Sequence, residues 1–134
     1  MKLTEAQFTT LFYPNVGEYL KYPCLVEFKV TDNTFNLKAW KSGKQSHQYA
    51  NLMEAYEETL YWKMPDDNKS TQRPADAFFV DDGVLIIWFN KHQRFAILPI
   101  DIVDSFGKSV AFKDIPEKYI YKLLPKPKKK IVEF

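Results

Sequence analysis

Three stretches of the chain carry the residue patterns expected of β-strands. Leu25–Val30 alternates apolar and charged residues, which is typical of a strand with one buried face. Val84–Phe89 is apolar throughout, as in a strand that is covered on both faces, and Arg94–Ile100 returns after a turn at Asn90–Gln93. These patterns predict a sheet whose centre is buried between other layers.

Helical patterns lie before and between these strands. Thr4 can cap a short helix that would carry Phe8, Leu11 and Phe12 on one side. Gln45–Trp62 has the clearest helical period, and its apolar stripe consists of Tyr49, Met53, Tyr56 and Leu60. Together the elements predict an α/β fold with a central mixed β-sheet flanked by helices.

The remaining segments predict turns, a loop and a tail. Gly17–Tyr22 and Cys24–Thr31 are expected to form a hairpin. Met64–Ala75 is rich in Pro, Asp, Asn and Ser without periodicity, which indicates a loop. We therefore expect a single domain over residues 1–124 and a basic C-terminal tail over residues 125–134.

Composition narrows the class of protein. A chain of 134 residues with 46% hydrophobic and 16% aromatic residues predicts one domain with a substantial core. Cys24 is the only cysteine, which excludes an internal disulfide and, without a Cys/His cluster, a structural zinc site. Neither a signal peptide nor a membrane-length apolar run is recognisable, so we expect a cytoplasmic protein without membrane contact.

Two charged residues interrupt the first strand. Glu27 and Lys29 project from the same face, roughly 6 to 7 Å apart along the strand. Such a pair is most often a solvated surface feature of little energetic value. With a second carboxylate nearby, however, it would suit phosphodiester hydrolysis, in which acidic oxygens hold a divalent cation and a lysine offsets developing charge.

The order of these segments resembles the PD-(D/E)xK nucleases and, among them, the RecU-type Holliday junction resolvases. Glu27-Phe28-Lys29 matches the second half of the motif, and Pro14-Asn15 lies about a dozen residues upstream, where the first half is expected. Later segments agree in order over residues 13–124: Phe35–Lys38, Gln48, Val84–Phe89, Phe95–Pro99, Ile102–Phe106 and Lys108–Ile115. The resemblance implies a restriction-endonuclease-like core and a Mg²⁺- or Mn²⁺-dependent endonuclease that acts on DNA, especially branched or junction DNA, as a homodimer.

The resemblance also implies roles for individual residues. Glu27 would hold the metal together with the Phe28 carbonyl and residue 15, Lys29 would assist the attacking water, and Gln48 would support the site from its helix. Position 15 carries Asn where the family has Asp. This difference predicts weak metal binding and weak or absent cleavage, which Asn15→Asp should restore. Glu18 remains an alternative ligand if the alignment is shifted.

A second departure lies at the front of the chain. Resolvases of this type carry a longer N-terminal region with a protruding stalk, whereas residues 1–13 alone precede the motif here. Junction specificity is therefore not expected to carry over.

Basic residues supply candidate contacts with nucleic acid. The net charge is only +2, so binding would depend on local patches. The candidates are Lys38, Lys41, Lys44, Lys126, Lys128, Lys129 and Lys130. Trp40 lies between Lys38 and Lys41 and could stack on an unpaired base, although packing is the commoner role of such a residue.

Two other functions remain open at this point. The chain could be a catalytically dead nuclease-fold module that binds nucleic acid through its lysines. It could also be an interaction protein that blocks a host factor, as small phage-encoded domains do. Metal-dependent stabilisation that disappears with Glu27 would favour the nuclease over both.

Overall fold

A computed structural model of the chain describes residues 1–57, 60–63, 77–80 and 82–127, the two short central ranges as backbone only. The helices are α1 (Glu5–Phe12), α2 (Val16–Tyr19), α3 (Leu37–Ser42), α4 (Ser46–Glu57) and α5 (Ile100–Val103). The strands are β1 (Leu25–Thr31), β2 (Thr34–Asn36), β3 (Leu60–Lys63), β4 (Ala77–Val80), β5 (Gly83–Phe89), β6 (Arg94–Pro99), β7 (Ser109–Ala111) and β8 (Ile120–Tyr121).

Four of the strands form a mixed sheet in the order β1-β5-β6-β8. β1 runs parallel to β5, whereas β6 is antiparallel to both β5 and β8. Two small antiparallel pairs accompany the sheet, β2 with β7 and β3 with β4. This architecture confirms the predicted mixed sheet flanked by helices and places β1 at its edge.

Helices cover both sides of the sheet, and β1 contributes to both layers. On the α1 face, Val26, Phe28 and Val30 pack into a core that includes the side chains of α1 and α2. On the α4 face, Leu25 packs against a second core built with α3, α4 and α5. Because apolar layers enclose it from both sides, every residue of β5 is buried, as its continuous apolar sequence predicted.

The first helix begins where the sequence predicts. The Thr4 hydroxyl accepts a hydrogen bond from the Gln7 amide at 3.2 Å, and the Gln7 side chain accepts one from the Thr4 amide at 2.9 Å. Phe8 and Phe12 are fully buried, but Leu11 remains 42% exposed. The apolar side of α1 is therefore narrower than predicted.

Helix α4 differs from the prediction in length and in packing face. It ends at Glu57, and Leu60–Lys63 forms a strand instead of a further helical turn. Its buried residues are Leu52 and Ala55; of the predicted stripe, Tyr49 and Met53 pack against the core and are partly buried, whereas Tyr56 is 46% exposed. Close packing on β5 sets this face, since a Cβ atom at Gly83 would lie 2.4 Å from the Leu52 carbonyl oxygen.

The predicted hairpin before β1 is wrong. Val16–Tyr19 is helical, and β1 takes β5 as its parallel partner. The loop predicted at Met64–Ala75 lies outside the described residues. In the described part of the chain, each helix is too short or too polar to cross a membrane.

Candidate functional site

Glu27 and Lys29 lie together on the α4 face of the edge strand. Their register partners on β5 are Leu85 and Ile87, which belong to the core beneath α3 and α4. Glu27 is partly buried, and Lys29 is only 6% exposed. The pair is therefore not a solvated surface feature, because a lysine is rarely buried to this degree without a specific partner.

The turn between α3 and α4 provides that partner. The Lys29 ammonium donates a hydrogen bond to the Gln45 side-chain oxygen at 2.6 Å. The Gln45 backbone carbonyl accepts a hydrogen bond from the Gln48 amide at 2.9 Å, which fixes Gln45 at the start of α4. The α3–α4 turn thus places a neutral hydrogen-bond acceptor beside a buried cation.

The surroundings of Glu27 alter its acidity. Burial is the largest influence and raises the pKa of the Glu27 carboxyl, since a charged carboxylate loses hydration there. The Lys29 charge lowers this pKa, the Glu5 charge raises it and the His47 charge lowers it again. Glu5 in the first turn of α1 and His47 in α4 are therefore electrostatic neighbours of the site.

The backbone at Phe28 faces the open edge of the sheet. The Leu25 amide bonds to Asp82, and the Thr31 carbonyl accepts from Asn90, so these alternate residues of β1 direct their polar groups toward β5 and the loops at its ends. In a parallel pair the intervening residues point the opposite way. The Phe28 carbonyl is thus directed away from β5, toward the side of β1 on which no described strand pairs with it.

The structure does not bring Asn15 into this site. Asn15 follows α1 and is hydrogen-bonded to the segment after β8, the strand at the opposite edge of the sheet from β1. The Asn15 side-chain amide donates to the carbonyls of Leu124 and Pro125, at 3.3 and 3.1 Å. This corrects the metal-ligand interpretation of Asn15, because a residue that is only 8% exposed and donates to two carbonyls serves to fasten the C-terminal segment.

Tyr19 reinforces the same attachment. Its hydroxyl accepts a hydrogen bond from the Leu124 amide at 2.8 Å and donates to the Lys122 carbonyl at 3.3 Å. Residues 122–125, which include Pro125 as the first residue of the predicted tail, are therefore held by Asn15 and Tyr19. Glu18, the alternative metal ligand, is exposed on α2 and is not among the charged groups that act on the Glu27 carboxyl.

Gln48 has a different partner from the one predicted. Its side-chain oxygen accepts a hydrogen bond from the Trp40 indole at 3.0 Å, which joins α3 to α4. Trp40 is 5% exposed and packs edge-on against Tyr49. Gln48 therefore supports the site indirectly, by fixing the turn that carries Gln45, and Trp40 is a packing residue.

The candidate DNA-contacting lysines occupy several different settings. Lys38, Lys44 and Lys126 are exposed. Lys41 instead forms an ion pair with Asp104 and lies 5.0 Å from the centre of the Tyr49 ring. Lys128, Lys129 and Lys130 lie outside the described residues. Lys44 is the member of this set that approaches Lys29, because both line one groove.

Sequence reasoning missed Gln45, which is the direct partner of Lys29. Gln45 and Gln48 are both polar residues near the start of one predicted helix, so only the helix phase and the turn geometry distinguish them. Within the described ranges, no group of three or more His, Cys, Asp or Glu residues could hold a metal ion. Comparison of the chain with family models, curated proteins and solved structures finds no match.

Proposed function

We propose that the chain is a metal-dependent endonuclease domain with a restriction-endonuclease-like core, related to the PD-(D/E)xK nucleases and acting on DNA. The observation that carries the proposal is the burial of Lys29 beside Glu27 on an edge strand of a mixed sheet. A buried lysine that faces a half-buried carboxylate has a desolvation cost that a solvated surface pair avoids. Burial also raises the pKa of the Glu27 carboxyl, and carboxyl groups with perturbed pKa values are concentrated at functional sites.

The residues present offer a limited but suitable metal environment. Glu27 supplies a carboxylate, and the Phe28 carbonyl points to the open edge beside it. Mg²⁺ commonly uses one or two carboxylates and retains several waters, so two protein oxygens meet its minimum requirement. When bound, the cation would polarise a phosphate and lower the pKa of a water molecule.

The Lys29 ammonium would contact the same phosphate as the metal ion. In hydrolysis the water oxygen bonds to phosphorus, one P–O ester bond breaks, and the leaving alkoxide takes up a proton. Negative charge accumulates on the phosphoryl oxygens during this exchange, and a preorganised ammonium stabilises it. Gln45 keeps that ammonium in place through its 2.6 Å hydrogen bond.

A second candidate is a nuclease-fold module that binds nucleic acid without cutting it. The observation in its favour is Asn15, whose side chain is committed to the C-terminal segment and does not supply a second ligand beside Glu27. In this version Lys29 and Lys44 would still contact phosphates. The two candidates differ in whether Glu27 binds a metal.

A cleavage assay separates them. Branched, single-stranded and duplex DNA, with matching RNA, would be incubated with Mg²⁺ or Mn²⁺ and the natural chain, Glu27→Gln or Lys29→Met. The nuclease is supported if cleavage falls by about a hundredfold in Lys29→Met, the usual effect of removing one transition-state donor, and at least as far in Glu27→Gln, which removes the metal ligand. Glu18→Gln is the matched control, because it removes an exposed acid on α2.

Metal-dependent thermal stability provides an independent measurement. We expect Mn²⁺ to raise the melting temperature of the natural chain and of Glu18→Gln, and to leave Glu27→Gln unchanged. If no substrate is cut and no metal stabilises the chain, the nuclease proposal fails. Retained DNA binding would then favour the non-catalytic module.

A further inference from the structure

A groove opens beside Lys29, between strands β1 and β2 on one side and α3 with the α3–α4 turn on the other. Its volume is about 560 Å³. The residues that line this groove include Lys29, Thr31 and Phe35 on the strand side. On the helical side they include Trp40, Lys44 and Gln45. Among the described side chains that line this groove, which we call the Lys29 groove, two are lysines and none is a carboxylate, so the groove favours an anionic occupant.

The Lys29 ammonium is hydrogen-bonded but forms no ion pair with a described carboxylate, and Glu27 acts on it only from beyond ion-pair distance. An ammonium has three N–H donors, and Gln45 supplies its one hydrogen-bond acceptor among the described residues. The ion pairs in the described part of the chain are Lys2 with Asp32 and Lys41 with Asp104, so no described carboxylate lies within ion-pair distance of Lys29. A buried cation of this kind requires a further acceptor.

We propose that Gln45 is a positioning residue that reserves the Lys29 ammonium for an external oxyanion, a phosphodiester oxygen of a strand bound in the Lys29 groove. A neutral amide fixes the direction of the ammonium and leaves its charge for the ligand, whereas a carboxylate at position 45 would consume that charge. Lys44 adds a second cation at the same groove. The nature of the strand rests on the proposed function, but the oxyanion contact does not require cleavage.

Gln45→Glu tests this directly. The probe is a short single-stranded oligonucleotide, with inorganic phosphate in parallel, titrated in EDTA so that no metal takes part. The introduced carboxylate would pair with Lys29 internally, so oligonucleotide affinity is expected to fall about tenfold or more, the size of a lost charge-assisted hydrogen bond. The melting temperature is expected to rise, because a buried charge gains a partner.

Two variants make the result specific. Gln7→Glu adds the same charge on α1, keeps a residue that can complete the Thr4 capping box, and is expected to change affinity by less than about twofold. Lys29→Met removes the ammonium and is expected to lose as much affinity as Gln45→Glu. A rise in stability together with a fall in binding would distinguish positioning from a general structural role.

Opposite outcomes overturn the inference. The inference fails if Gln45→Glu binds the oligonucleotide as tightly as the natural chain does. It also fails if Gln7→Glu loses as much affinity as Gln45→Glu, or if the natural chain does not bind the oligonucleotide. If the binding results hold and no substrate is cut with Mg²⁺ or Mn²⁺, the nuclease proposal fails and the oxyanion contact stands. If substrates are cut and Gln45→Glu still binds normally, the oxyanion inference fails alone.

Discussion

The two faces of β1 differ in composition although the same seven residues form both. On the α1 face, Phe28 packs edge-on against Phe8 and Phe12, with ring centres 5.9 and 5.2 Å apart. On the α4 face, the corresponding positions carry Glu27 and Lys29. One side of the strand therefore contributes to a dry aromatic core, while the other places two charges at the boundary of a core.

Within this one strand, the residues that stabilise the fold lie on the α1 face, and the residues proposed to act on a substrate lie on the α4 face. Aromatic packing on the α1 face gains free energy from buried apolar area and ring contacts. Burial of charge on the α4 face costs free energy, which only a ligand or a partner recovers. We therefore expect substitutions on the two faces to have effects of opposite sign.

Phe8→Ala should produce the largest loss of stability. Phe8 is fully buried and its ring centre lies 5.3 Å from Trp88 and 5.4 Å from Phe95. Truncation leaves a cavity in the centre of the aromatic core, so the free energy of unfolding should fall by about 3 to 5 kcal/mol. Urea denaturation measures this, with Leu11→Ala on the exposed side of the same helix as a control expected to cost far less.

Asn15→Asp should be the next most damaging, in contrast to the restored cleavage that the sequence predicts. The new carboxylate would face the carbonyl oxygens of Leu124 and Pro125 without a donor for them. We expect the free energy of unfolding to fall by about 1 to 3 kcal/mol, because buried acceptors lose their hydrogen bonds.

Asn15→Ala provides the comparison for that prediction. It removes the same hydrogen bonds without adding charge, so it should cost less than Asn15→Asp in urea denaturation. Metal-dependent cleavage by Asn15→Asp, with unchanged stability, would contradict the attachment of Asn15 to the C-terminal segment.

Glu27→Gln should stabilise the chain at neutral pH. Because the pKa of Glu27 is raised above 4.5, the folded state binds its proton more tightly than the unfolded state does. The natural chain therefore loses stability as pH rises from below 4.5 through the raised folded pKa, and the amide avoids that loss. Urea denaturation should show Glu27→Gln to be the more stable at about pH 7, with the difference shrinking toward about pH 4.

The control for this pH dependence is Glu18→Gln, which removes an exposed acid from α2. It should leave the pH profile of stability close to that of the natural chain. A Glu27→Gln difference that stays constant between about pH 4 and 7 would show that burial of the carboxylate does not carry the effect.

The sequence predicts the strands better than it predicts the site. Continuous apolar residues identify β5, and alternation in β1 correctly assigns Glu27 and Lys29 to one face, because both are local properties of a strand. The separation of Asn15 from Glu27 is a long-range property. It depends on Val16–Tyr19 forming a helix and on hydrogen bonds to residues more than a hundred positions away.

Gln45 illustrates the same limit at shorter range. Its contact with Lys29 spans 16 positions and requires the α3–α4 turn, which Gln48 and Trp40 fasten. No periodicity in the sequence encodes which of two glutamines faces β1. The role of a residue can be predicted when it follows from the residue's own helix or strand. It cannot be predicted when it depends on how two such elements pack together.

Asp104→Asn should have the smallest effect on stability and a distinct effect on titration. Lys41 and Tyr49 both bond to this exposed carboxylate; the Lys41 hydrogen bond lowers the pKa of Asp104 most, and the Tyr49 hydrogen bond lowers it further. Its stabilising contribution is therefore present above pH 3.8, disappears as pH falls through the lowered folded pKa, and should amount to less than about 1 kcal/mol.

The pKa of the Tyr49 hydroxyl provides a second measurement of the same cluster, at alkaline pH. Burial first, and then the hydrogen bond to Asp104, raise the pKa of Tyr49 to about 12. Asp104→Asn removes the negative acceptor, so the Tyr49 pKa should fall toward 10 while burial keeps it above that value. NMR titration of the ring measures this shift. An unchanged Tyr49 pKa would show that Asp104 does not contribute to it, and the contact of Asp104 with the helical layer would then run to α3 through Lys41.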